Sequence, residues 1–311
     1  MLFASQVLGI EITHDGLRMA LVGGKRSAPR LDAFGVGRFP PETVRSSIRE
    51  PNVLNPAVFV EKIRETYLLL LTKTKRVSLS LPDAAGRVVL LDLETRFKNK
   101  DEGADIIRWK LKKSFPYEIQ DAHLDYQVIQ EKESGEISTL VSLVARQVVT
   151  QYEELLLEAG LQPNKIDFTS FNLYRLFARR FELADDYAFL SFYGGTLGIM
   201  IFAGGTLAFH RVKEIPGGRF DVHRAFREIS SSLLVFKEKQ SANPLSEVFC
   251  SITKEERDAF RSVVNEATGL EPVWLDTERL VNCGSSVSAD SSTLFSLSGA
   301  VGAAVRDLRW K

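Results

Sequence analysis

Cysteine is scarce: the 311 residues hold two, Cys250 and Cys283. That is too few for a disulfide framework, and no metal-ligand spacing surrounds either, so free thiols in a reducing compartment are expected. Net charge is missing too, because forty basic and forty acidic side chains cancel. No overall field draws the chain to nucleic acid. The four histidines, His14, His123, His210 and His223, lack metal-ligand spacing, and no metal site is expected. There is no glycine-rich Walker loop and no nucleophile–base motif. The chain begins without a basic segment, and Glu11 interrupts the first apolar run, so no signal peptide is expected. Residues 187–209 carry no charge, a length that could cross a bilayer. Two Gly-Gly pairs cut the stretch into pieces of strand length, which reads as buried sheet.

What is present is ordinary globular composition, 44% hydrophobic and 26% charged, in a chain long enough for two domains. The organising stretch is 7–22. Leu8, Ile10 and Ile12 alternate with Gly9, Glu11 and Thr13; Leu17, Met19 and Leu21 alternate with Arg18 and Ala20. With His14-Asp15-Gly16 as a turn between them, this is a β-hairpin. Gly23-Gly24 and a run over 31–39 extend it to a meander. The same plan recurs at 187–193, 197–203 and 206–212, with turns at Gly194-Gly195-Thr196 and Gly204-Gly205. Two copies about 180 residues apart predict two similar domain cores rather than a solenoid.

Between the copies, Asn55-Pro56 opens a helix. The basic cluster at 73–76 reads as a solvated helix end. An alternating strand at 77–81 stops at Pro82-Asp83. A smaller α/β unit follows: strand 87–93, helix 101–114 stopped by Phe115-Pro116-Tyr117, strands 124–130 and 137–145, and helix 150–159 ended by Gly160. Strand 164–170 and helix 171–181 come next. After the second meander, a helix over 222–239, strand 247–252, helix 254–267 and strand 272–275 are expected. A Ser-rich linker at 285–292 leads to a last helix at 294–308, rich in small residues that permit close approach.

A repeated strand-turn-strand core with an inserted α/β unit resembles the actin-like ATPase architecture. The sequence is similar to the PilM family of type IV pilus assembly proteins, near FtsA and the cytoplasmic part of GspL. The resemblance rests on the first hairpin and on 77–82 with its Leu-Pro ending. It rests also on the stretch from Trp109 through Phe115-Pro116-Tyr117 to Leu124-Asp125-Tyr126, and on Glu158-Ala159-Gly160-Leu161. It covers most of 7–215 and then weakens.

The resemblance implies that the two hairpin turns would hold ATP phosphates, with backbone N–H groups approaching the anion and a carboxylate at each first strand end serving Mg²⁺. Carried over by position, the cleft residues are Glu11, Thr13, His14, Arg18, Gly194, Gly195 and Thr196. Glu11 stands for an expected Asp, Thr13 for Gly and Arg18 for Lys; Ser191 and Tyr193 replace a second Asp and Gly. Ser191 brings no charge to Mg²⁺, and Tyr193 puts a ring where backbone should meet phosphate. Ser251-Ile252-Thr253 stands where a glycine-rich adenine turn is expected, and 213–246 has room for one helix only. A pseudo-ATPase, with neither ATP nor Mg as cofactor, is therefore the expectation.

The expected fold is a two-domain α/β, actin-like (ribonuclease H-like) architecture. Its parts are a first core at 1–83 and 160–186, an inserted subdomain at 84–159, a reduced second core at 187–291 and a C-terminal helix at 292–311 returning to the first core. By resemblance the chain is a non-catalytic scaffold of a pilus or related secretion machine, on the cytoplasmic face of the inner membrane without spanning it. It would bind the N-terminal cytoplasmic tail of a PilN-like membrane partner, and the assembly motor is a second expected partner. The tail groove would lie between first core and insert, pointing to Leu79, Leu81, Arg87, Val89, Phe115 and Tyr117. The alternatives are an ATP-binding or slowly hydrolysing ATPase and an FtsA-like filament protein. The basic helix around Trp109, with Arg108, Lys110, Lys112 and Lys113, and the cluster Arg175, Arg179 and Arg180 read as solvated faces.

Overall fold

A computed structural model describes residues 6–115, 118–215, 217–239 and 243–308. The chain opens with the expected meander of β1 (Val7–Ile12), β2 (Gly16–Lys25) and β3 (Ala28–Arg38). Ile10 pairs with Met19 and Ile12 with Leu17. These side chains bury one face of the sheet together with Phe59 and Ile63 of α1 (Pro56–Leu68). Asn55 caps α1 by accepting from Val58 N, with Pro56 in the first turn, as the Asn-Pro pair predicts. β4 (Arg76–Leu81) then lies parallel to β1.

The insert consists of β5 (Gly86–Leu93), α2 (Lys100–Leu111), β6 (Ala122–Glu131) and β7 (Ile137–Ala145), an antiparallel sheet of order β5-β7-β6. The next helix, α3 (Arg146–Glu158), starts four residues before the expected 150 because β7 runs straight into it. Its buried stripe of Val148, Tyr152, Leu155 and Leu156 packs into the first core beside α1. The expected insert at 84–159 thus ends, in packing, at the close of β7. Gly160, at φ 84°, terminates α3 in the left-handed region. β8 (Gln162–Phe168) pairs with β4, and α4 (Thr169–Phe177) begins two residues before the expected 171.

The second core repeats the first with β9 (Tyr187–Tyr193), β10 (Thr196–Ala203), β11 (Thr206–Glu214), α5 (Val222–Lys239), β12 (Glu247–Ser251), α6 (Arg257–Thr268) and β13 (Pro272–Trp274). Its sheet runs β11-β10-β9-β12-β13, and the first runs β3-β2-β1-β4-β8. Strand for strand the order is the same, so the repeated hairpins are a duplicated topology. The uncharged stretch 187–209 is three sheet strands, and no described helix is long and apolar enough to cross a membrane. A short β14 (Asn282–Cys283) joins the outer edge of β3, so part of the expected 187–291 core belongs to the first sheet. Cys250 is buried and Cys283 exposed, both as free thiols.

The expected single terminal helix is divided into α7 (Ser291–Ser296) and α8 (Ser298–Val305). The Ser298 hydroxyl donates back to Phe295 O at 2.7 Å, a bond that bends helices. α8 packs between β1 and α4. A Cβ on Gly9 would lie 1.9 Å from Ala300 O, and one on Gly302 would lie 2.1 Å from Asn172 O. Only glycine permits that approach.

Candidate functional site

The two hairpin turns face each other across the cleft between the cores. In the first turn, Thr13 N donates to Gly16 O at 2.9 Å. The Thr13 hydroxyl donates to Asp15 Oδ1 at 2.6 Å and accepts from Arg18 Nη1 at 3.0 Å. In the second turn, Gly194 and Gly195 take φ 53° and 76° in succession, the left-handed pair of a tight hairpin turn. A Cβ on Gly194 would lie 3.8 Å from Thr13 Cγ2, so the turns come within van der Waals reach.

Glu11 is the penultimate residue of β1 and is 5% exposed. It is wedged under the start of α8, where a Cβ on Gly299 would stand 2.3 Å from Oε1. Burial raises its carboxyl to about 7; Arg18 opposes the rise, and the charges of Asp15 and Asp83 add to it.

Tyr193 ends β9, and its hydroxyl donates to Asp83 Oδ2 at 2.7 Å. Asp83 follows β4 beyond Pro82. It also accepts from Ser170 N at 3.1 Å and from the Ser170 hydroxyl. His210 Nε2 lies 3.4 Å from Ser170 Oγ, and its ring stacks on Phe171 at 5.1 Å. Burial outweighs the hydrogen bonds and holds Asp83 at about 6. Burial also lowers His210 to about 4 and, together with the Asp83 charge, raises the Tyr193 hydroxyl. Tyr193 and His210 belong to the second core, Asp83 and Ser170 to the first, so this network fastens one to the other.

Tyr193 lines both cavities of the cleft. One, of about 210 Å³, is lined also by Glu11, Thr13, His14, Asp83, Gly194 and Thr196 among others. The second, of about 190 Å³, is lined also by Glu11, Thr13, Arg18, Gly194, Ser251 and Phe295 among others. Each is smaller than the ~300–1,000 Å³ usual for a small-molecule site.

The structure therefore brings together Glu11, Thr13, His14, Arg18, Gly194 and Thr196. Gly195 lies apart: its carbonyl accepts from Ile215 N at 2.8 Å, and a Cβ there would meet Gly218 Cα at 2.6 Å. Ser191 is 2% exposed and packs toward Gly198. Sequence reasoning missed Asp83, Ser170 and His210. Asp83 looked like punctuation after a proline, and the other two come from separate elements. Glu11, Asp83 and Glu214 are carboxylates of the cleft, while Arg18, Arg45, Thr196 and the Gly194 backbone could meet an anion. Among the described residues no group of three or more His, Cys, Asp or Glu side chains could hold a metal ion.

The expected partner residues divide differently. Leu79 and Leu81 are each 1% exposed and belong to the first core. β4 lies between β1 and β8, so it offers neither an edge nor a face, and these two residues are not groove-lining. Arg87 is exposed on the edge strand β5, its guanidinium 5.8 Å from the Phe115 ring. It lines a cavity of about 280 Å³ against β11, with Arg211 and Lys213. Val89 packs against the core under α2, and Tyr117 lies outside the described residues. A larger cavity, about 510 Å³, opens between first core and insert, lined by Arg49, Glu118, Asp121, Ala145, Arg146, Gln147 and Thr150. One wall is pinned to α3. Val53 N donates to Gln151 Oε1 at 2.9 Å, and Gln151 Nε2 donates to Val53 O at 2.8 Å.

No family model and no curated protein sequence matches this chain. Solved structures do. A chain of the PilM-PilN type IV pilus biogenesis complex superposes with a TM-score of 0.82 at 18% identity, over 97% of this chain and 98% of that one. The cytoplasmic domain of EpsL, an inner membrane component of the type II secretion system of Vibrio cholerae, matches with a TM-score of 0.52 at 8% identity over 94% of each chain. A Bacteroides thetaiotaomicron protein of unknown function with an actin-like ATPase fold gives 0.49 at 12% identity, covering 93% of this chain and 94% of that one. The fold is the actin-like one expected from the sequence.

Proposed function

We propose that this chain is a non-catalytic, actin-like scaffold of a type IV pilus or related secretion machine, with its nucleotide cleft closed by its own side chain. The observation that carries the reading is the bond from Tyr193 to Asp83. Tyr193 leads directly into the second turn, and its hydroxyl ties that strand end to Asp83 of the first core, across the cleft that phosphates would have to enter. Neither ATP nor Mg is then a working cofactor.

The assembly role draws on the likeness, along 97% of the chain, to a chain of a complex named for PilM and PilN. The groove between first core and insert fits the tail of such a partner. Arg49 and Arg146 stand there with Glu118 and Asp121, a mixed-charge lining suited to an extended peptide. The partner is the N-terminal cytoplasmic tail of a PilN-like membrane protein, and through it the scaffold sits peripheral to the cytoplasmic face of the inner membrane. The assembly motor is its second partner.

The test is titration of a labelled peptide of that tail into the purified chain. Binding is expected, weakened at least ~10-fold, or about 1.4 kcal/mol, by Arg146→Glu. Unchanged affinity in that variant would remove the groove. Mg-ATP in the calorimeter should give no heat. A second reading, an actin-like ATPase with a rebuilt site, is favoured by the cleft carboxylates, Glu11 and Asp83 among them; saturable heat from Mg-ATP together with release of inorganic phosphate would establish it instead.

A further inference from the structure

The end of the first core away from the cleft carries an exposed apolar loop. Leu68, Leu69 and Leu71 are 69%, 63% and 95% exposed, while Leu70 is 3% exposed and anchors the segment. α1 ends at Leu68, and the chain turns at Leu71 with φ 48°. That left-handed position after a helix is ordinarily glycine. A leucine held in an unfavourable backbone conformation, with its side chain in water, gains nothing from the fold of this chain. The turn is braced from within. The Tyr67 hydroxyl donates to Thr72 O at 2.8 Å, and the Lys75 ammonium lies 4.1 Å from the Tyr67 ring centroid. Lys73, Lys75 and Arg76 follow, all exposed, and 66–76 contains no acidic residue.

We propose that this loop is a wedge for an anionic lipid surface. Leu68, Leu69 and Leu71 enter the acyl boundary, and Lys73, Lys75 and Arg76 take lipid phosphates. The occupant follows from shape and charge. Leu68, Leu69 and Leu71 are exposed side by side along the chain, and a deformable bilayer accepts such side chains without a preformed pocket. In a two-fold contact through this loop, Lys73, Lys75 and Arg76 of one copy would face the same cations of the other, which disfavours a second copy as the occupant. Cations beside an apolar tip complement an anionic headgroup layer. α3 has its first residue, Arg146, in the peptide groove and its last, Glu158, at the loop end, where Arg64 of α1 donates to Glu158 O. Lipid and tail therefore meet opposite ends of one helix. The lipid contact needs no partner protein and stands whether or not the groove holds a tail.

The experiment is co-sedimentation of the purified full chain with vesicles of phosphatidylcholine alone or mixed with phosphatidylglycerol. Binding is expected only with phosphatidylglycerol, falling as salt is raised. Leu71→Gly, which suits the left-handed turn and therefore folds, and the exposed-site change Leu69→Ser should each weaken it by roughly tenfold. Lys73→Glu should act in the same direction. The proposal is overturned if the wild-type chain ignores phosphatidylglycerol vesicles, or if both leucine variants bind as the wild type does. It is also overturned if sedimentation of the free protein shows a dimer that these variants abolish, because a second copy would then cover the loop.

Discussion

Replacing Glu11 by glutamine should stabilise the protein at alkaline pH and leave it unchanged in acid. The Glu11 carboxyl is 5% exposed and lies against Gly299, with Arg18 near enough to attract it by charge. Burial raises it from 4.5 to about 7, so the folded chain binds this proton more tightly than the unfolded chain does. Stability from this group is fully present below 4.5 and is lost as pH rises through about 7. Full ionisation costs the folded state roughly 3 kcal/mol, at about 1.4 kcal/mol per pH unit. Glutamine is nearly isosteric and removes that cost together with the attraction to Arg18, leaving a net gain of about 1–3 kcal/mol at pH 8.5. Urea unfolding of wild type and variant at pH 4 and pH 8.5 measures it. Comparing the two proteins at each pH cancels the carboxylates that do not interact with Glu11, and relief of the repulsion from Asp15 and Asp83 adds to the predicted gain at pH 8.5. A Glu11→Gln variant no more stable than wild type at pH 8.5 would refute the reasoning, as would a gain of equal size at pH 4.

Tyr193→Phe keeps the ring and removes the donor to Asp83. It should cost about 1–3 kcal/mol in denaturant unfolding at pH 8 and leave the response to Mg-ATP unchanged, since the ring still lines both cavities of the cleft. Gly9→Ala places a methyl 1.9 Å from Ala300 O. It should force α8 away from β1 at a cost of about 3 kcal/mol or more, read as a fall in Tm or a failure to express soluble protein. Leu71→Gly relieves a left-handed leucine. Its gain of about 1–2 kcal/mol is partly offset by glycine's added chain entropy, so thermal unfolding should show equal or slightly higher stability while lipid binding falls.

Much of this architecture was legible because it is written in local pattern. Alternating apolar residues in the two meanders, Asn55-Pro56 before α1 and Gly160 after α3 each fix local backbone geometry, and the repeat of one pattern announced the duplicated core. Boundaries failed where neighbours outside the segment decide them. α3 begins at Arg146 because β7 feeds it directly, and the terminal helix divides at Ser298 because a side chain bonds back to the preceding turn. β14, two residues long, has no periodicity to read.

The candidate site divides in the same way. The sequence by itself placed the two hairpin turns, and its resemblance to a known family pointed to Glu11, Thr13, Arg18, Gly194 and Thr196 there and marked Tyr193 as a ring in the wrong place for phosphate. Only the tertiary structure decided what that ring does. Asp83, Ser170 and His210 come from three separate segments, and their meeting with Tyr193 depends on how one sheet is set against the other. Leu79 and Leu81 show the same limit from the other side: their alternation revealed a strand, while burial between β1 and β8 removed them from any partner surface. Short-range pattern fixes backbone conformation residue by residue. Which side chains share a cavity, lose their water and shift their proton affinity is set by contacts tens to more than a hundred residues apart in sequence.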